Sequence, residues 1–191
     1  MNAVRDWGQR LLASFGVISG LVWLMGCQAT IAPQGQSVQV SQVISGQTLE
    51  VLDPTQQTTS TERVRLLGID APDWNHQQPW SIEAKERLEA LIGEDRHVLL
   101  ESDVEPYVES EREMQGGSRL RLAYVWHGQE LLNETLVEEG YGVASSRSPN
   151  LKYEQRLIHA QEKARLLGIG IWNPTHSMRQ MPSEFRDEIG N

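Results

Sequence analysis

Residues 63–73, reading RVRLLGIDAPD, restrict the folds open to this chain more than any other segment. The run is apolar enough to be a strand, yet it carries Arg63 and Arg65 and ends in two carboxylates, Asp70 and Asp73, on either side of Ala71-Pro72. A guanidinium that is buried or half-buried needs a charged or hydrogen-bonding partner, and the two aspartates are the nearest in sequence. The segment therefore reads as a strand that delivers a charged cluster into a turn.

The surrounding pattern predicts a small barrel with helices. Alternation and β-branched residues mark strands at 38–44, 48–52, 63–69, 98–100 and 120–126, the first two joined at Ser45-Gly46 and the next reached through a polar stretch at 53–61. In the last strand Leu120, Leu122, Tyr124 and Trp126 alternate to one side. Ser81 is placed to cap a helix whose Ala84, Leu88, Leu91 and Ile92 share a face, and Gly93 stands where it would stop. A short helix is expected at 133–139. A longer one at 153–167 has a buried stripe of Tyr153, Leu157, Ala160, Ala164 and Leu167. Five strands and three helices in this order suit an α+β, five-stranded OB-type barrel better than βαβ units. Residues 173–191 are compatible with either a flexible end or a short docked helix.

The ends of the chain and its charge bound the function. Arg5 and Arg10 precede an apolar run at 11–25, short for a bilayer span and of the right length for a secretory segment. It closes on Leu24-Met25-Gly26 before Cys27, the single cysteine, and resembles a bacterial lipoprotein box. On that reading residues 1–26 are removed, Cys27 is lipidated, 27–37 is a tether, and the domain at 38–172 works in the cell envelope outside the cytoplasm, held to a membrane. An uncleaved anchor or an ordinary signal peptide are the alternatives. The net charge of −9 becomes one unit more negative once 1–26, with two arginines and one aspartate, is removed. Broad electrostatic attraction to DNA or RNA is excluded by that balance, so any contact with a polynucleotide must be local. The acidic run at 101–113 reads as a solvated loop, with a weak calcium-collecting surface as the alternative. The five histidines have no ligand spacing, which argues against a histidine zinc site.

The words SGQTLEV, RVRLLGIDAPD, QPWSIEAK, LAYVWHG, LNETLVEEG and GIGIW occur in order across residues 38–172, and together they resemble the staphylococcal-nuclease (thermonuclease) family. The resemblance implies an OB-type fold and calcium-assisted hydrolysis of phosphodiesters in DNA or RNA. It assigns phosphate binding to Arg65, calcium ligation to Asp70 and to the Thr48 carbonyl, and orientation of the attacking water to Asp73. The chain departs from the family at three places. Gln47 stands for a second carboxylate ligand and brings an oxygen without charge. Asp73 is a methylene shorter than the expected glutamate. Leu120 stands where a second arginine is expected. Arg119 and Arg121 flank it, and strand alternation turns both to the other face, unless a bulge at Gly116-Gly117 reverses the phase. Ser146 and Ser148 fall where tyrosines pack on the nucleotide, so base stacking is expected to be weak. Two functions follow: a slow calcium-dependent nuclease, or an OB module without turnover that binds a nucleotide, a polynucleotide segment or an envelope protein.

Overall fold

The computed structural model describes residues 32–52, 60–109 and 119–190, without the side chains of Glu109 and Arg119. The expected signal segment, Cys27, the 53–59 connection and the Gly116-Gly117 pair lie outside the described residues.

A closed five-stranded barrel forms from β1 (Gln36–Ser45), β2 (Thr48–Leu52), β3 (Thr61–Leu66), β5 (His97–Glu101) and β7 (Arg119–His127). β1 pairs antiparallel with β2 and β5, β2 with β3, and β5 with β7; a parallel pairing of β3 with β7 closes the ring. This is the α+β OB-type barrel that the strand order predicts. The inward set follows the period of two: Leu49 and Val51 from β2, Val64 and Leu66 from β3, Val98 and Leu100 from β5 are all buried. On β1 the register shifts between Val40 and Gln42, which brings Val43 into phase with Val38 and Val40 on the core.

Short strands and helices complete the unit. β4 (Ile69–Asp70) pairs with β9 (Val143–Ala144), β6 (Tyr107–Glu109) and β8 (Glu130–Leu131) pair with β7, and α1 (Ser81–Ile92), α2 (Leu132–Glu138) and α3 (Glu154–Leu167) lie against the barrel or one another. A 3-10 turn at Gly170–Trp172 leads to a fourth helix, α4 (Pro182–Ile189).

Three expectations are corrected, and one left open is resolved. The strand expected at 63–69 is two strands, because Gly68 has φ +74 and a Cβ there would stand 2.4 Å from Leu157 Cδ1. The chain turns a corner that only glycine fits. Ser81 does not cap α1; the capping position is Trp80 in a left-handed conformation, and Ser81 is the buried first residue. The stripe on α3 ends at Ala164, since Leu167 is exposed. The tail is a docked helix rather than a flexible end: Gln78 Nε2 donates to the Gln180 carbonyl at 2.9 Å, Trp80 Nε1 donates to the His176 carbonyl at 3.1 Å, and Met178 is buried.

Candidate active site

The corner at Gly68 aims Asp70 at the barrel wall. Asn133, fully buried at the start of α2, accepts from the Val125 N–H and donates to the Leu67 carbonyl, both at 2.8 Å, so β7 and the corner are locked to one helix. β4 then carries Asp70 to a position only 4% exposed. Arg65, half-buried on β3, sets its Nη2 3.7 Å from Asp70 Oδ1. Burial pulls the Arg65 guanidinium below its ordinary value; Asp70 opposes this, while Arg186 and Arg147 add to it by repulsion. Arg65 stays charged at any physiological pH, but it sits among like charges, a setting that favours an arriving anion.

Asp70 Oδ2 accepts from Arg186 Nη2 at 2.6 Å, a charge-assisted bond spanning 116 positions of sequence. Its Oδ1 is buried without a hydrogen-bond partner.

The β1–β2 turn forms the facing wall. A Cβ on Gly46 would lie 2.6 Å from the Ala84 Cβ of α1 and 3.1 Å from the Ala71 Cβ, so the glycine is demanded by close approach. The turn is thereby pressed between α1 and the Asp-Ala-Pro segment. Gln47, buried beside it, accepts the Ala71 N–H on Oε1 at 3.0 Å. Thr48 sits opposite Arg65 in the strand register. Asp73 Oδ1 accepts from the His76 N–H at 2.9 Å and meets the His76 ring at 3.1 Å, which organises the turn after Pro72. Both contacts fall on the same carboxylate oxygen.

These residues share one open cleft of about 300 Å³, lined among others by Gln47, Thr48, Arg65, Asp73, Leu120 and Arg186. Asp70 closes it from behind through Arg65 and Arg186. Arg65, Asp70, Asp73 and the Gly46 turn are thus brought together as the sequence suggests.

Arg121 is not. Leu120 faces the cleft, and the β6–β7 register runs Tyr107↔Arg121, Val108↔Leu120, Glu109↔Arg119 without a shift. Arg121 therefore points to the other face, as alternation requires. It is buried there, donating from Nη1 to Gln36 Oε1 at 2.9 Å and to Glu62 Oε2 at 3.2 Å. It forms an ion pair with Glu62, away from the cleft. The Arg119 side chain lies outside the described residues.

A cation finds a partial set of donors. Asp70 Oδ1, buried behind the cleft without a hydrogen-bond partner and 3.7 Å from Arg65 Nη2, is a hard oxygen donor of the kind calcium prefers. Among the described residues no group of three or more His, Cys, Asp or Glu side chains is placed to hold a metal ion. Gln47 Oε1 is already engaged and Asp70 Oδ2 is held by Arg186. Asp70 and the Thr48 carbonyl would hold an ion there, and water would have to supply the rest of the six to eight oxygens that calcium takes.

Three participants escape a reading of the sequence. Arg186 reaches the cleft from α4. Arg147 lines a neighbouring groove of about 530 Å³ together with Arg65, Ser145, Ser146, Ser148 and Arg186. Trp74 lines the first cleft with the Lys85 ammonium 4.1 Å from its ring centroid. No local signal identifies Arg186, whose partner is remote. Arg147 lies one residue from Ser146 and Ser148, within the segment the resemblance singles out.

Comparison with known proteins points to one family. Residues 63–174 match the family model described as staphylococcal nuclease homologue. The chain is 32% identical to the thermonuclease of Staphylococcus hyicus over 142 residues, 72% of this chain and 76% of that protein. It is 34% identical to the thermonuclease of Staphylococcus intermedius over 143 residues, 73% and 77% of the respective chains. The matched region contains the β3–β4 corner with Arg65 and Asp70, the turn at Asp73 and the barrel-closing strand β7, and on these grounds the chain belongs to the staphylococcal nuclease family.

Proposed function

We propose that this chain hydrolyses phosphodiester bonds in DNA or RNA as a slow, calcium-assisted nuclease of the thermonuclease type. The observation that carries this reading is the Arg65 guanidinium 3.7 Å from buried Asp70 in one cleft with Asp73 and the Gly46 turn. Arg65 would neutralise a phosphoryl oxygen, and a preorganised cation at a developing negative charge is commonly the largest single contribution to such catalysis. Asp73 would orient the attacking water through the carboxylate oxygen that the His76 turn does not use. Asp70, with the Thr48 carbonyl, would hold calcium. When bound, the ion supplies further charge neutralisation at the phosphate.

The second reading, an OB module that binds without turnover, draws on Asp73. Its short side chain is committed through Oδ1 to the His76 turn, and a shift of about an ångström in a reacting group can cost about 10²-fold in rate.

The test is cleavage of single-stranded DNA and RNA by the chain from Gln28 onward, with calcium or with chelator. Calcium-dependent cleavage that disappears in Arg65→Ala supports the nuclease. Binding without cleavage under both conditions supports the module.

A further inference from the structure

Cleft and groove meet at one place, and the same three side chains, Arg65, Leu120 and Arg186, line both. Leu120 contributes no charge to that junction. Arg186 enters from the docked tail and lies beyond residue 174, where the family match ends. We propose that Arg186 is a phosphate-binding residue, the second guanidinium of the site, supplied by α4 in place of the strand position occupied by Leu120.

Charge supports the assignment. Arg63, Arg65, Arg147 and Arg186 line the two depressions, against Asp73 and Glu105 on their walls and Asp70 behind. A chain with net charge −9 thus gathers an excess of positive charge at one point. Geometry supports it as well. The Arg186 side chain is 35% exposed, so part of it reaches solvent inside the cleft while Nη2 is held by Asp70. A guanidinium has five N–H donors in a planar fork, and one bond to Asp70 fixes its direction without exhausting it. Asp70 thereby orients two guanidiniums at once: Arg186 through Oδ2, and Arg65 from beside Oδ1. Two positively charged forks held on one carboxylate can bracket a single phosphate.

The inference rests on the nuclease reading for its rate but not for its binding, and the experiment separates the two. Arg186→Leu, Arg186→Lys and the double variant Arg186→Leu/Leu120→Arg are compared with wild type, after circular dichroism of each. Cleavage of single-stranded DNA is measured as kcat/KM with calcium. Binding of a fluorescein-labelled oligonucleotide is measured by anisotropy in chelator. Arg186→Leu is expected to lower kcat/KM by about 10²-fold, the scale found when one charge-stabilising donor is removed. It should weaken oligonucleotide binding about tenfold. Arg186→Lys should recover only part of either, because an ammonium lacks the fork. The double variant should regain binding, a result that a merely structural tail would not give. Arg186→Leu within twofold of wild type in both assays overturns the inference while leaving the nuclease reading intact, and so does a loss that Leu120→Arg fails to restore. Arg186-dependent binding by a wild type that never cleaves supports the inference and refutes the nuclease.

Discussion

The Gln47 amide shows how a residue read from its place in a turn can carry a bond that only the fold reveals. Its place in the β1–β2 turn suggests a neutral substitute for a metal-binding carboxylate. In the fold its Oε1 satisfies the N–H of Ala71, 24 positions away and fully buried. A buried donor left without a partner costs about 1–3 kcal/mol. Gln47→Ala is therefore expected to destabilise the domain by about that amount in urea denaturation, and a change below about 0.5 kcal/mol would show that the bond is not needed. Arg65 and Asp70 were legible because they are five positions apart on one strand-and-turn word. The departure at Leu120 was legible from the resemblance, and alternation alone turned Arg121 to the other face. What the sequence could not supply was the environment of Arg121, since Gln36 and Glu62 come from other strands.

Three elements meet at the end of β5. Glu101, the first residue of the acidic run expected to be solvated, is instead 4% exposed. It accepts from Trp126 Nε1 at 2.8 Å, Lys152 Nζ at 2.5 Å and Tyr153 Oη at 2.9 Å, tying β5, β7 and the approach to α3 together. Burial works to raise the Glu101 carboxyl, but the hydrogen bonds from Lys152, Tyr153 and Trp126 outweigh it and hold the group below its ordinary value. The neighbouring Tyr124 hydroxyl is pushed up to about 12, chiefly by burial. A depressed carboxylate binds its proton more readily in the unfolded chain. Its stabilisation is thus complete above the unfolded value, about 4.3 for glutamate, and is lost as pH falls through the lower folded value. Glu101→Gln is expected to lower the melting temperature at pH 7 and to flatten its decline below about pH 4.5; an unchanged acid limb would contradict this role. The run of acids hid this residue because composition does not show where a strand ends. The corner at Gly68 was missed for a similar reason: the apolar run continues through it, and only the packing of Leu157 demands the break.

A chain of net charge −9 places Arg63, Arg65, Arg147 and Arg186 along one cleft and the groove beside it. Barrel order and helix order were legible from periodicity, because each strand carries its own alternation. The docking of the tail was not, since the contacts of Gln180, His176 and Arg186 to Gln78, Trp80 and Asp70 join segments about a hundred positions apart. The junction should make polynucleotide contact local. Each phosphate neutralised on a single strand contributes about −0.7 to the slope of log affinity against log salt, so three or four arginines predict a slope of about −2 to −3. A slope steeper than about −5 would mean a wider footprint than this cleft offers. The most direct measurement is kcat/KM for single-stranded DNA with calcium, wild type against Arg65→Ala. The variant is expected to lose about 10²- to 10³-fold, and chelation should silence both proteins. Equal cleavage by the two proteins would place the chemistry somewhere other than the Arg65–Asp70 cleft.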